Sequence, residues 1–507
     1  MQAALKNIES LAHRRSGFTI VELLVVIVVI GILASITIVA FNGVQQSAGA
    51  AVLKSDLRNA QSQLEIANIS NGSYPSDTSQ VRASSGTVFE YTNSGSSYCI
   101  TASSAIAATS FYIDSLAGVI NVGTCPSHLG IAIFDPPPPI VTTLSHSCAV
   151  SVGRPFCWGL GQYGRLGNGS TAESSVPLAV TTSGVLAGRT VTSVTSGSFH
   201  SCALADGQPY CWGGGVFGQL GYGIDNSNYS EPVPVETSGV LFGRTVTSIS
   251  TGENHTCAVA DSLAFCWGYS LAGQIGNGDN TAFGDMEISP VAVDTSGVLA
   301  GRSVSSVATG DSHSCAVADG QAFCWGQNLD GQLGNGTTND SFVPVAVSTS
   351  GVLSGRTVTA IVAGRFHTCA LADGLVFCWG NSGASNSASP AAVNASGVLL
   401  GRTATAISAG DRFSCAIADA EAFCWGDGWG GELGGGVNTS SASPVAVSTS
   451  GVLAGRTVTL ISSGFTHTCA LADSQAFCWG RGQNGRLGNG GTINSSSPVA
   501  VSPLPGL

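Results

Sequence analysis

GRTVTAIVAGRFHTCALADGLVFCWG, residues 355–380, is one copy of a unit that recurs through the C-terminal part of this 507-residue chain. Close copies centre on Cys202, Cys257, Cys315, Cys415 and Cys469, and a truncated copy on Cys148, which makes seven. Successive centres lie 46–58 residues apart, mostly 54 or 55. Most copies continue into a glycine-rich tail, such as GQYGRLGNG (161–169) or GQNGRLGNG (482–490), and then a PVAV-like strand. Each unit therefore holds about four short strands separated by turn residues. No 3.6-residue periodicity survives the glycines, so helical repeats are a poor fit.

A four-stranded unit at this period reads as a β-propeller blade. The pattern resembles the regulator of chromosome condensation repeat family over roughly residues 140–507. That resemblance implies a seven-bladed propeller. One copy departs from the pattern: after Trp379-Gly380 the tail is replaced by NSGASNSASP, and the next copy carries Phe413 where the others carry histidine. The first copy lacks a preceding PVAV strand and the last ends with one, Pro498 to Val501. The expectation is that this terminal strand completes the first blade, which would remove open sheet edges.

Fourteen of the sixteen cysteines form seven C-x8-C pairs, one per copy. A two-residue turn at Asp373-Gly374 pairs Ala372 with Leu375. Counting outward, Cys369 faces Cys378 in the non-hydrogen-bonded class, where side chains approach most closely. The same count predicts Cys148–Cys157, Cys202–Cys211, Cys257–Cys266, Cys315–Cys324, Cys415–Cys424 and Cys469–Cys478. The alternatives are pairs of reduced, buried thiols, or metal sites, for which this spacing is unusual. Disulfides point to an oxidising compartment.

At the other end, residues 17–34 read GFTIVELLVVIVVIGILA. Lys6, Arg14 and Arg15 precede the run, which sets the leader on the cytoplasmic side. Leu23 to Phe41 spans about 28 Å as a helix, enough for one bilayer crossing. This segment resembles the N-terminus of type IV pilins and pseudopilins. The resemblance implies a leader (1–17), cleavage after Gly17 by a prepilin peptidase, methylation of Phe18, and pairing of Glu22 with a neighbouring subunit's freed N-terminus. Leu53, Leu57, Ala60, Leu64 and Ala67 continue one helical face beyond the membrane. The runs TVFEYT, SYCITA, SFYID and GVIN then read as strands. A long α-helix packed on a small antiparallel sheet is what the pilin resemblance implies for 18–134. Cys99 and Cys125 bracket the sheet and are expected to bond. Asp135 and four prolines through Pro139 form a stiff spacer. The fold class is thus mainly β: a seven-bladed β-propeller (140–507) behind a pilin-like domain.

The net charge is −12, and 12 Arg, no Lys and 22 acids leave residues 140–507 at −10. Phosphate-backbone binding needs dense cationic contact, so nucleic acid is not an expected partner of the propeller. Six repeated histidines, His146, His200, His255, His313, His367 and His467, read as structural brackets on a turn. The repeated Trp of CWG reads as blade-to-blade packing, and the repeated Arg of GRT as a tie on the connection between blades. No unique catalytic, phosphate-loop or metal-ligand constellation stands out, so no enzyme, metal or cofactor is expected. Asp225, Asp279 and Asp285 lie in oxygen-rich loops but lack EF-hand-like spacing.

Function should then lie in residues that break the repeat. Loop aromatics Tyr163, Phe217, Tyr222, Tyr229, Tyr269, Phe283 and Trp429 are candidates, and Tyr222, Tyr229 and Phe283 sit in the longer insertions. The leading expectation is an exported minor pilin or pseudopilin, passing through the cytoplasmic membrane into a filament of pilin subunits. Its propeller would be a surface head for adhesion or for capture of an extracellular protein or glycan. The rivals are a structural tip or cap of a secretion or pilus machine, and a surface-anchored enzyme or hydrolase inhibitor.

Overall fold

The computed structural model describes residues 52–122 in part, and residues 140–504 except 225–226, 280–285, 384–385, 394–396 and 449–450. Contacts divide the chain into two compact units, Met1–Phe134 and Asp135–Leu507. The expected leader, membrane helix and proline spacer lie outside the described residues, as do Gly17, Phe18 and Glu22. Among the described residues no helix is long and apolar enough to cross a membrane.

In the first unit residues 55–64 are helical. Leu53, Leu57, Ala60 and Leu64 are buried against Ile100, Ala102 and Ile113 of a sheet. That sheet is an antiparallel meander of Val88–Asn93, Tyr98–Ser103, Phe111–Asp114 and Asn121–Val122. The three-and-four spacing of the leucines puts one stripe on the sheet. Thr87 Oγ1 donates to the buried Asp56 carboxylate at 2.6 Å, a second tie between the helical segment and the sheet. The Cys99 side chain and Cys125 lie outside the described residues.

The second unit holds seven four-stranded sheets, each of four consecutive strands. Blade 2 shows the plan: Val191–Ser196, His200–Ala205, Gln208–Gly213 and Tyr229–Pro234. First strands of consecutive blades touch around the ring, the last against the first, so they surround the axis. Second strands such as HSCALA are buried at every residue, because neighbouring blades cover both their faces. The apolar cores accordingly sit between blades, one for each of the seven junctions.

Second and third strands meet in a two-residue turn. Asp206 (φ 52°) and Gly207 (φ 72°) both adopt the left-handed region, as the hairpin turn requires. The register sets Cys202 opposite Cys211. A disulfide joins them, and the equivalent one is present in all seven blades. Their Cα atoms stand 4.0–4.1 Å apart, the close approach of a non-hydrogen-bonded antiparallel pair.

Ring closure differs from the sequence expectation. The terminal strand, Ser495–Ala500, pairs with Gln475–Gly480 of its own blade and not with the first. Blade 1 supplies its own first strand, Ile140–Thr142, immediately after the prolines. That strand was too short to show in the repeat. The ring closes by packing: Ile140, Phe156 and Trp158 share a core with Leu471, Leu487 and Leu504. Thr142 Oγ1 also donates to Ser462 O at 2.9 Å.

Candidate functional site

The repeated polar residues form a junction relay. Trp267 Nε1 donates to Gln219 O of the preceding blade at 3.0 Å. Thr256 Oγ1 donates to the same carbonyl at 2.9 Å. His200 Nε2 lies 2.8 Å from Thr256 Oγ1. The hydroxyl has one proton and spends it on the carbonyl, so the imidazole must be the donor, as a neutral Nε2–H tautomer. The relay recurs at the junctions of Trp158, Trp212, Trp325 and Trp379. Burial lowers the pKa of His200, His255 and His313 to about 3 and of His367 to about 4. The histidines are thus brackets, but through Nε2 they bond a neighbouring blade's hydroxyl; among the six, His146 also meets its own turn, with Nδ1 3.1 Å from Thr143 Oγ1. The hydroxyl at Nε2 lies 47–59 residues away for five of them and 320 for His467, beyond what a local reading reaches.

The junction into blade 6 is different. Blade 5 has no glycine-rich tail, and among the described residues Trp425 has no equivalent carbonyl. Phe413 fills the histidine slot and is 1% exposed. At the next junction Trp479 and Thr468 still donate to Glu432 O, without a histidine behind the threonine.

The two ends of the propeller carry different chemistry. At the hairpin end the repeated arginines behave as expected. Arg189 donates from Nε to Val185 O, pairs with Asp206 at 3.4 Å and lies over the Tyr210 ring. The other end carries the turns between first and second strands and the loops between third and fourth. There the axis opens into a cavity of about 70 Å³, lined by Thr143, Ser196, Ser198, Thr309, Ser463 and Phe465 among others.

Each turn at this mouth has the form G-x-x-H or a variant. Blade 1 has Thr143 at the first position, and the other six have glycine; at Gly252 a Cβ would stand 2.5 Å from both Gly310 O and His255 Cε1. The residue after this position is free to vary, and in ring order reads Leu144, Ser198, Glu253, Asp311, Arg365, Asp411, Phe465. Arg365 stands between two acids, Nε 3.7 Å from Asp311 Oδ1 and Nη1 4.0 Å from Asp411 Oδ2. Its guanidinium also lies between the Phe366 and Phe465 rings, 4.9 and 5.6 Å from their centroids. Burial, then the hydrogen-bonded Glu253 carboxyl, push Asp311 up to about 8. Burial also raises Asp411, against the pull of Arg365 and Arg412.

Around the mouth, outer loops expose apolar side chains at matching places: Tyr163, Phe217, Leu271, Leu329 and Trp429. Trp429 is 72% exposed. Phe217 packs edge-on to Tyr269, with centroids 5.1 Å apart. Of the three insertion aromatics, Tyr222 and Tyr229 pack on each other at 5.4 Å and against the core between blades 2 and 3, half-buried. Phe283 lies outside the described residues, as do Asp225 and Asp285. Sequence reasoning missed the mouth ring and the buried arginines behind it. Arg165 Nη1 donates to Ser145 Oγ and Ser198 O, clamping two turns. Arg486 does the same to Leu144 O and Thr466 Oγ1. The available signal was the two variable positions of G-x-x-H inside an otherwise constant unit.

Among the described residues no three of His, Cys, Asp and Glu come together to hold a metal ion. The face offers charge, aromatic surface and rigid turns, which suit recognition.

Comparison with known proteins agrees with this architecture. The regulator of chromosome condensation (RCC1) repeat matches residues 153–204, 206–259, 319–371 and 473–507, with a second form of the repeat at 304–332 and 358–385. The prokaryotic N-terminal methylation motif matches residues 12–38. The chain is 30% identical over 373 residues to the ultraviolet-B receptor UVR8 of Arabidopsis thaliana, covering 71% of this chain and 80% of that protein. It is 35% identical over 233 residues to human E3 ubiquitin-protein ligase HERC2, covering 45% of this chain and 4% of that protein. Human WBSCR16 shares the fold at a TM-score of 0.61 and 23% identity, over 69% of this chain and 94% of that one. Yeast RCC1 (Prp20) does so at 0.59 and 19%, over 72% and 88%. Beyond its prepilin-type N-terminal motif, the chain belongs to the RCC1 repeat family.

Proposed function

We propose that the protein is an exported minor pilin or pseudopilin that displays its propeller as a protein-binding head at the cell surface. The observation that carries this reading is the fusion itself: an N-terminal methylation motif at residues 12–38 ahead of RCC1 repeats. Prepilin peptidase would cut after Gly17, and the apolar helix from Phe18, with Glu22, would join other pilin subunits. Seven buried disulfides suit an oxidising exterior. Yeast RCC1 (Prp20), which shares this fold, has been solved with Kap60 bound to it, which supports a protein-binding role. The mouth face favours binding over catalysis, since the described histidines of the repeat are committed to blade junctions as neutral donors.

Two measurements test this. Mass spectrometry of the mature chain should find N-methylated Phe18 as the first residue; a chain retaining the leader refutes pilin-type processing. A propeller-specific label on intact cells should decorate surface filaments or their tips. Label reaching the propeller only after the cells are opened would sink surface display.

A further inference from the structure

The mouth of the propeller is one cation short. Glu253, Asp311 and Asp411 stand on three of four consecutive turns, against two guanidiniums: Arg365, between Asp311 and Asp411, and Arg412, beside Asp411 and over the Phe366 ring. The Arg365 distances of 3.7 and 4.0 Å are too long for hydrogen bonds. Asp311 Oδ1, Asp411 Oδ1 and Arg365 Nε are all buried without a hydrogen-bond partner. Beneath them the axial cavity is lined by Ser196, Ser198 and Ser463, exposed by 6%, 2% and 7%. The Oγ of each is likewise without a partner. Buried polar atoms normally find partners, and such a concentration at one opening marks a place built to receive one. The charge states agree: burial, then the hydrogen-bonded Glu253 carboxyl, hold Asp311 up to about 8 despite the opposing pull of Arg365.

We propose that this mouth receives a basic side chain, a lysine ammonium or an arginine guanidinium, presented by the partner protein that docks on this face. The inference rests on the binding-head reading and names the partner's chemistry. A metal ion is disfavoured, because the carboxylates are spread around the ring and no three gather closely enough to coordinate one. An organic cation suits the spacing. It spans separated acceptors, donates several N–H groups to the unpaired oxygens, and can lie against Phe465 as Arg365 already does, whereas Phe366 already carries both Arg365 and Arg412. A cationic partner also complements a chain of net charge −12. On binding, the incoming cation would take the place of the proton that the Glu253–Asp311 pair shares.

The test is a titration of the full-length protein in detergent micelles with a fluorescein-labelled Lys/Arg-containing peptide, read by anisotropy. The matched peptide carries acetyl-lysine and citrulline instead. The Glu253→Gln, Asp311→Asn, Asp411→Asn triple variant should weaken binding of the basic peptide about tenfold or more. Neutralising the peptide should cost as much. A charge-matched control, Asp206→Asn, Asp319→Asn, Asp373→Asn at the hairpin end, should stay within about twofold. Arg365→Gln, which removes the resident competitor, should tighten binding about threefold, a gain that misfolding cannot produce. Equal loss in the control, undiminished binding by the mouth variant, or no gain from Arg365→Gln would overturn the proposal. Failure here leaves surface display standing, since labelling of intact cells reads that separately.

Discussion

The two ends of the propeller are built on the same backbone and teach opposite lessons. At the hairpin end one set recurs: Arg244–Asp261 under Phe265, Arg302–Asp319 under Phe323, Arg356–Asp373 under Phe377. At the mouth the corresponding ring of positions reads Leu, Ser, Glu, Asp, Arg, Asp, Phe, with no two neighbours alike. Closing a ring demands that each junction solve the same packing problem, so residues that hold junctions repeat. A binding surface needs asymmetry. It is tolerated only where a side chain leaves the framework without touching the next blade's relay.

Acid should separate the two ends with the largest effect. The relay histidines are neutral in the fold, with pKa lowered from 6.5 to about 3 for His200, His255 and His313 and well below 6.5 for His146 and His467. Their unfolded forms bind protons first as pH falls. Their stabilisation is therefore complete above about 6.5 and lost as pH drops toward about 3. Asp311 has the opposite sign. With a folded pKa raised from 3.8 to about 8, its contribution is present below about 4 and lost as pH rises through about 8. Thermal melts should show a steep acid limb and a shallow alkaline one. Asp311→Asn should flatten only the alkaline limb; a flat acid limb would contradict the neutral-imidazole relay.

Adjacent residues give the next contrast. Gly252→Ala drives a Cβ into Gly310 O and the His255 ring, and should cost about 3 kcal/mol or more. Glu253→Gln, one residue on, should stay within about 0.5 kcal/mol while altering basic-peptide binding. Denaturant melts reporting similar costs for both would erase the distinction between frame and mouth. Between these in size lies the Cys315→Ala, Cys324→Ala pair. Loop-closure entropy for a short loop predicts a loss of about 2–3 kcal/mol, with the hairpin register kept. A cost near zero would mean the strands hold themselves without the bond.

How much was legible follows from the reach of each interaction. The hairpins were readable because Asp-Gly dictates its turn within two residues and the strand period carries the register outward to Cys369 and Cys378. Leu53, Leu57, Ala60 and Leu64 were readable because a helical face repeats locally. Ring closure was not. Whether Ser495–Ala500 completes its own blade or the first depends on contacts with Ile140, more than three hundred residues earlier. Glu253, Asp311, Arg365 and Asp411 look like loop polar residues until the turns are brought around one axis. Only their departure from an otherwise constant G-x-x-H pointed to them.

The smallest expected effect tests the frame where it is least perfect. Six blades place Asp first in the hairpin turn, at φ 47–52° (Asp206, Asp261, Asp319, Asp373, Asp419, Asp473). Blade 1 places Val152 there at φ 48°. A β-branched residue is strained in the left-handed region, where Asn and Asp are tolerated. Val152 is 78% exposed, so removing it forfeits little packing. Asn fits the backbone without adding a charge that lacks an arginine, since the truncated first copy supplies no GRT. Val152→Asn should therefore stabilise by about 0.5–1 kcal/mol, seen as a higher denaturant midpoint at unchanged slope. At the same turn position in blade 5, Asp373→Asn should lose no more than about 1 kcal/mol, the worth of an exposed pair with Arg356. Opposite signs at one turn position would show that the hairpin frame is held mainly by backbone conformation and only lightly by its charges. A destabilised Val152→Asn would mean that this valine makes an apolar contact the frame depends on.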